Sequence, residues 1–126
     1  MIDHLGIEVA DYARSRAFYE HVLATLGHGI VMEVTRDMTG GYEGCGFGPP
    51  GRPHFWVGKS DGEPGRGAHI AFTAGSRAQV DLVEATLLRA YLNAGRVAEA
   101  RHLLANRRPG PAMLPVQGLD AGSQSD

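Results

Sequence analysis

Two stretches of this chain read almost alike. Residues 2–11 are IDHLGIEVAD and residues 67–76 are GAHIAFTAGS. Lay Asp3-His4-Leu5-Gly6-Ile7 over Ala68-His69-Ile70-Ala71-Phe72, and each gives a histidine, an aliphatic residue, a small residue and an apolar residue. Each then runs to a residue suited to cap a helix, Asp11 in one and Ser76 in the other, and a helical pattern follows both. A repeat of this kind calls for two related strand–helix modules rather than stacked solenoid units. It also puts one histidine at the same place in each module, which is the main functional clue.

The first copy alternates as a half-buried strand does, with Leu5, Ile7 and Val9 on one face and His4, Gly6 and Glu8 on the other. The apolar face is expected to pack on a helix, and the polar face suggests a cavity wall. Phe18, Val22 and Leu26, with Tyr19 and Leu23 beside them, predict an amphipathic helix over 12–26 that Gly27 stops. Three strands are expected next, at 28–36, 42–48 and 54–59. The second is so rich in glycine that a backbone or ligand can approach it closely. Residues 60–67 read as a polar linker. The first module, 1–65, therefore reads βαβββ.

The second module starts the same way and then departs. A strand is expected at 68–73 and a helix from the Ser76–Gln79 capping box to about Asn93, with Val80, Val83, Leu87 and Tyr91 as its buried stripe. The repeat asks for three more strands. Instead, 96–105 (RVAEARHLLA) predicts another helix, 106–115 is rich in Arg, Pro and Gly, 116–119 has room for one short strand, and 118–126 is a polar tail expected to be disordered. Residues 91–100 are similar to half of a tetratricopeptide-type helix pair, a unit that cannot bury its own face alone. The fold class is thus α+β: a βαβββ module repeat whose second module, 66–95, is incomplete and gives way to an atypical helical segment, 96–126.

Composition narrows the function. The length of 126 residues suits one domain, 1–126. No apolar run reaches the roughly 18 residues of a membrane span, so no membrane partner is expected. The charged, alternating N-terminus is unlike a signal peptide. One cysteine, Cys45, leaves no intramolecular disulfide, and a cytoplasmic location is expected. A net charge of −2 carries no nucleic-acid footprint. The arginines at 96, 101, 107 and 108 read as a solvated face, and His21 and His102 as surface groups on helices.

The residues His4-Leu5-Gly6-Ile7-Glu8-Val9, Asp11, Ser15, Phe18-Tyr19 and Leu26-Gly27 resemble the vicinal oxygen chelate superfamily. This group includes glyoxalase I, bleomycin- and fosfomycin-resistance proteins and extradiol dioxygenases. Pro53-His54-Phe55-Trp56-Val57 and Gly67-Ala68-His69-Ile70-Ala71-Phe72 continue the pattern in order, so the resemblance covers roughly 1–82. It implies paired βαβββ modules curled around one cavity, and a divalent ion (Fe, Mn, Ni or Zn) held there by His4 and His69. It places Trp56 near a third ligand position, where glyoxalase-like members carry an acid, and no match to the family's last glutamate is present.

Two imidazoles and a carboxylate would leave open positions on such a metal, a Lewis acid for an enolate or a catecholate. The carboxylate is the missing part. Glu8 shares a face with His4 but stands about 13 Å along the strand. His54, Gln117, Asp120 or a second subunit are the substitutes. Tyr42, Trp56 and His54 are the candidate substrate-binding residues, with core packing the competing role for the aromatics. Cys45 reads as a small buried residue. The leading expectation is a glyoxalase- or dioxygenase-like metalloenzyme acting on a small molecule, as a homodimer. The alternatives are a metal-free drug-binding protein of the bleomycin-resistance kind and an inactive truncated family member.

Overall fold

The computed structural model describes residues 1–65 and 68–105. The chain forms two compact units, Met1–Phe72 and Thr73–Asp126. The first contains strand β1 (Leu5–Val9), helix α1 (Tyr12–Ala24), β2 (Gly29–Val34), a one-turn helix α2 (Arg36–Thr39), β3 (Gly44–Gly48) and β4 (Phe55–Lys59). The four strands make one sheet in the order β1-β4-β3-β2. β1 runs parallel to β4, with Leu5 opposite Phe55 and Gly6 opposite Trp56, and the other two pairings are antiparallel. This is the βαβββ module expected from the sequence. The α2 turn was not foreseen; it takes up Arg36, which the pattern had assigned to the preceding strand.

Alternation along each strand sorts the residues between two faces. Leu23 of α1 packs with Cys45, Phe47, Phe55 and Val57, and Leu5, Ile7, Val9, Tyr12, Tyr19, Leu26 and Ile30 surround that cluster. Phe55 is at its centre, with the ring centroids of Tyr19 and Phe72 each 5.1 Å away in edge-to-face contact. Asp11 caps α1 by accepting a bond from the Arg14 amide at 3.0 Å. At the other end Gly27 adopts φ +80°, the Gly27 amide donates to the Ala24 carbonyl and the His28 amide to the Leu23 carbonyl, both at 3.0 Å. That bond pair is the Schellman stop, and it is why glycine stands at this position.

The expected strand at 68–73 does not form; these residues have no regular structure. A strand needs a hydrogen-bonded neighbour, and among the described residues no later strand is present to pair with this one. The segment instead uses its apolar residues for packing, Ile70 against the core cluster and Phe72 against Phe55.

The second unit contains α3 (Arg77–Asn93) and α4 (Val97–Ala105). Ser76 caps α3 by accepting from the Gln79 amide at 3.2 Å, while the Gln79 side chain accepts from the Gly75 amide. The buried residues of α3 are Asp81, Ala85 and Leu88, one position round from the expected stripe, and Asp81 pairs with Arg77 at 3.3 Å. Gly95, at φ +72°, turns the chain into α4, where Ala100 is buried. The short strand expected at 116–119 and the tail at 118–126 lie outside the described residues.

Candidate functional site: the glycine face of the sheet

The face turned away from α1 is built from what the strands leave over: Gly6 and Glu8 of β1, Trp56 and Gly58 of β4, Gly44, Gly46 and Gly48 of β3. Aromatic side chains lie directly on this glycine backbone. A Cβ added at Gly46 would come within 3.0 Å of the Trp56 ring and 2.6 Å of Pro53 Cβ. One added at Gly58 would stand 2.2 Å from the Tyr42 hydroxyl. The G-x-G-x-G run of β3 leaves room for the phenol over Gly44, for the indole over Gly46 and for the Arg52 backbone beside Gly48.

At the Trp56 end lies a hollow of about 330 Å³, walled by Asp3, His4, Arg52, Pro53, His54 and Trp56. Backbone bonds fix its rim. The Leu5 amide donates to the His54 carbonyl at 3.0 Å, and the His54 amide to the Phe47 carbonyl at 2.8 Å. The His4 ring donates from Nδ1 to Asp3 Oδ2 at 2.8 Å. That bond holds the exposed Asp3 carboxyl below its ordinary value, and the nearby charges of His4, Arg52 and His54 act in the same direction. One acid therefore faces two imidazoles and a guanidinium across an aromatic floor. At the other end, burial raises the Tyr42 phenol, helped by the charges of Glu8 and Cys45.

Of the expected site residues, His4, His54 and Trp56 meet in this hollow, and Tyr42 covers the far glycines of the same face. His69 is exposed, and its neighbours Ile70, Ala71 and Phe72 line a cavity with Leu5 and Phe55, the helix side of the sheet. Among the described residues no three His, Cys, Asp or Glu side chains stand close enough to share a metal ion. The position next to Gly6 on β4, where an acid would complete a chelate, carries an indole. Among the described residues the donors form no chelate set for a divalent ion, and Gln117 and Asp120 lie outside those residues. Asp3, Arg52 and Pro53 were missed from the sequence. The Asp3-His4 pair on the first strand and the basic turn before His54 were the available signals.

On the helix face, burial pushes up both the Cys45 thiol and the Tyr12 phenol. Cys45 is fully buried and belongs to the core, as its surroundings in the sequence suggested. No helix among the described residues is long and apolar enough to cross a membrane.

No curated protein matches the chain. The family model for the Glyoxalase/Bleomycin resistance protein/Dioxygenase superfamily matches residues 1–96, through the whole βαβββ unit and α3. With that match and a β1-β4-β3-β2 sheet carrying its open face opposite the helix, the chain belongs to the vicinal oxygen chelate superfamily.

Proposed function

We propose that this protein binds a planar aromatic small molecule on the glycine face, in the manner of the superfamily's metal-free drug-binding members. The observation that carries this reading is the Trp56 indole lying on Gly46 beside His4, His54 and Arg52. The indole supplies a stacking surface. Arg52 and the imidazoles supply donors for an oxygen-bearing edge of the ligand. Concave sites with an apolar floor and a few convergent polar groups are where small molecules bind. A homodimer fits the same reading. The glycine face leaves Met32 at 47% and Tyr42 at 39% exposure, and no second-module strand forms among the described residues, so a second copy supplies the facing wall.

Trp56 is the sole tryptophan, so its fluorescence reports on the site directly. Titration with benzoate, catechol and bleomycin is expected to give saturable quenching with at least one of them. An Arg52→Ala, His54→Ala double variant is expected to lose that binding at least tenfold. No saturable binding across the three by calorimetry, or full binding in the double variant, would overturn the proposal. Light scattering tests the pairing: a folded monomer at micromolar concentration that binds as tightly as the concentrated protein would remove it.

A further inference from the structure

The polar groups around Trp56 are not evenly matched. Asp3 and His4 are bonded to each other at 2.8 Å. The side chains of Arg52, His54 and Trp56, which share the same hollow, make no hydrogen bond or ion pair among the described residues. A guanidinium has five N–H donors and no acceptor, and an indole N–H can only donate. The hollow therefore has unspent donors beside an acid that is already engaged. Arg52 is exposed and Trp56 half-buried, so a ligand in solution can reach both.

The backbone presents Arg52 at this rim. Gly51 adopts φ +75°, and the Arg52 amide donates to the Pro49 carbonyl at 3.0 Å. Pro53 follows and keeps Arg52 out of the helical region. The same wall already favours one carboxylate. Asp3 is held in its charged form by the bond to His4 first, and by the charges of Arg52 and His54 after it. At long range the Asp3 charge opposes a second anion. At contact range the free groups decide, and the free groups here are donors with a fixed positive charge among them. A planar guanidinium pairs with a carboxylate through two parallel N–H···O bonds. The volume of about 330 Å³ stands near the lower end of the range for small-molecule sites, about 300–1,000 Å³, and suits one ring with a short substituent.

We infer that the hollow selects aromatic carboxylates of the benzoate class, with the ring on the Trp56 indole and the carboxylate on the Arg52 guanidinium. This rests on the proposed small-molecule reading and adds the charge of the ligand to it.

The test titrates the intact chain with three probes of one shape and different charge: benzoate, benzamide and benzamidine. Trp56 fluorescence and calorimetry give the affinities. Benzoate is expected to bind about tenfold tighter than benzamide, the effect of one charge-assisted pair at a half-open site, and benzamidine weakest of the three. The lead of benzoate should shrink between about 0.02 M and about 0.5 M salt, because exposed charges are screened. Arg52→Gln should bring the benzoate to benzamide ratio close to one, and Arg52→Lys, which keeps the charge without the fork, should retain part of it. Equal affinity for benzoate and benzamide would overturn the inference and leave the planar aromatic reading standing. So would tightest binding of benzamidine, which would make Asp3 the selecting group, or a ratio undiminished in Arg52→Gln. No saturable signal from any probe would remove the small-molecule reading itself, and this inference with it. If neither variant folds, the ratio and its salt dependence in the unaltered chain still decide it.

Discussion

The two faces of the four-stranded sheet are made by the same strands and share almost nothing else. On the helix side Phe47, Phe55, Val57 and Cys45 are 5% exposed or less, and their large side chains fill the space under α1. One residue along each strand, Gly6, Gly46 and Gly58 present no side chain, and Trp56 and Tyr42 fold down over the bare backbone. Neighbouring positions thus carry separate tasks. One face holds the unit together, and the other keeps room beside an aromatic floor. Period-two alternation allows this, because a change on one face leaves the packing of the other largely intact.

The sharpest way to break this contrast is a pair of adjacent substitutions. Phe55→Ala is expected to cost about 3–5 kcal/mol in urea unfolding, the usual loss for a buried phenylalanine. Trp56→Ala should cost less than half as much, because Trp56 is only half-buried, yet it should abolish ligand binding at the hollow. Equal losses of stability would show that the glycine face is ordinary core.

Adding side chains to the empty face sharpens the same point. Gly48→Ala would drive a methyl to 2.1 Å from the Arg52 carbonyl, a backbone atom, and is expected to cost about 1–3 kcal/mol. Gly58→Ala meets only the far end of the Tyr42 side chain, which can swing away, so its cost should be smaller. A reversed order in thermal unfolding would contradict the described turn at 49–54.

The faces also differ in how pH acts on them. Tyr12 and Cys45 keep their protons in the folded state to higher pH than in the unfolded chain. Their contribution is present below the ordinary thiol value of 9.0 and is lost as pH rises past it, where only the unfolded chain ionises. A Tyr12→Phe, Cys45→Ala double variant should flatten this alkaline decline. On the glycine face the sign is opposite. Asp3 is lowered, so its contribution is present above the ordinary value of 3.8 and lost below it, and His4→Ala should remove that small acid dependence.

The smallest expected signal is metal content by mass spectrometry on protein purified without tag or chelator, at well under one divalent ion per chain. One ion per chain, lost in a His4→Ala, His69→Ala double variant, would return the function to chelate chemistry.

Much of this molecule was legible before folding. The His4-Leu5-Gly6-Ile7-Glu8-Val9 alternation gave β1 and both of its faces, and Asp11, Gly27 and Ser76 marked helix ends that the structure places where those residues stand. Such signals are local, since a cap or a stop is settled by the backbone within a few residues. The repeat misled at 68–73, which has the pattern of a strand but no strand to bond with among the described residues.

What the sequence determined by itself was the alternation, the caps and the family. The tertiary structure decided which residues meet. Arg52 and Asp3 join His4 and His54 because the parallel pairing of β1 with β4 brings the starts of both strands to one rim. His69 keeps the repeat's spacing, yet its segment packs by Ile70 and Phe72 on the helix side. Spacing along a chain fixes the face of an element, but only pairing between elements fixes the neighbours of a side chain.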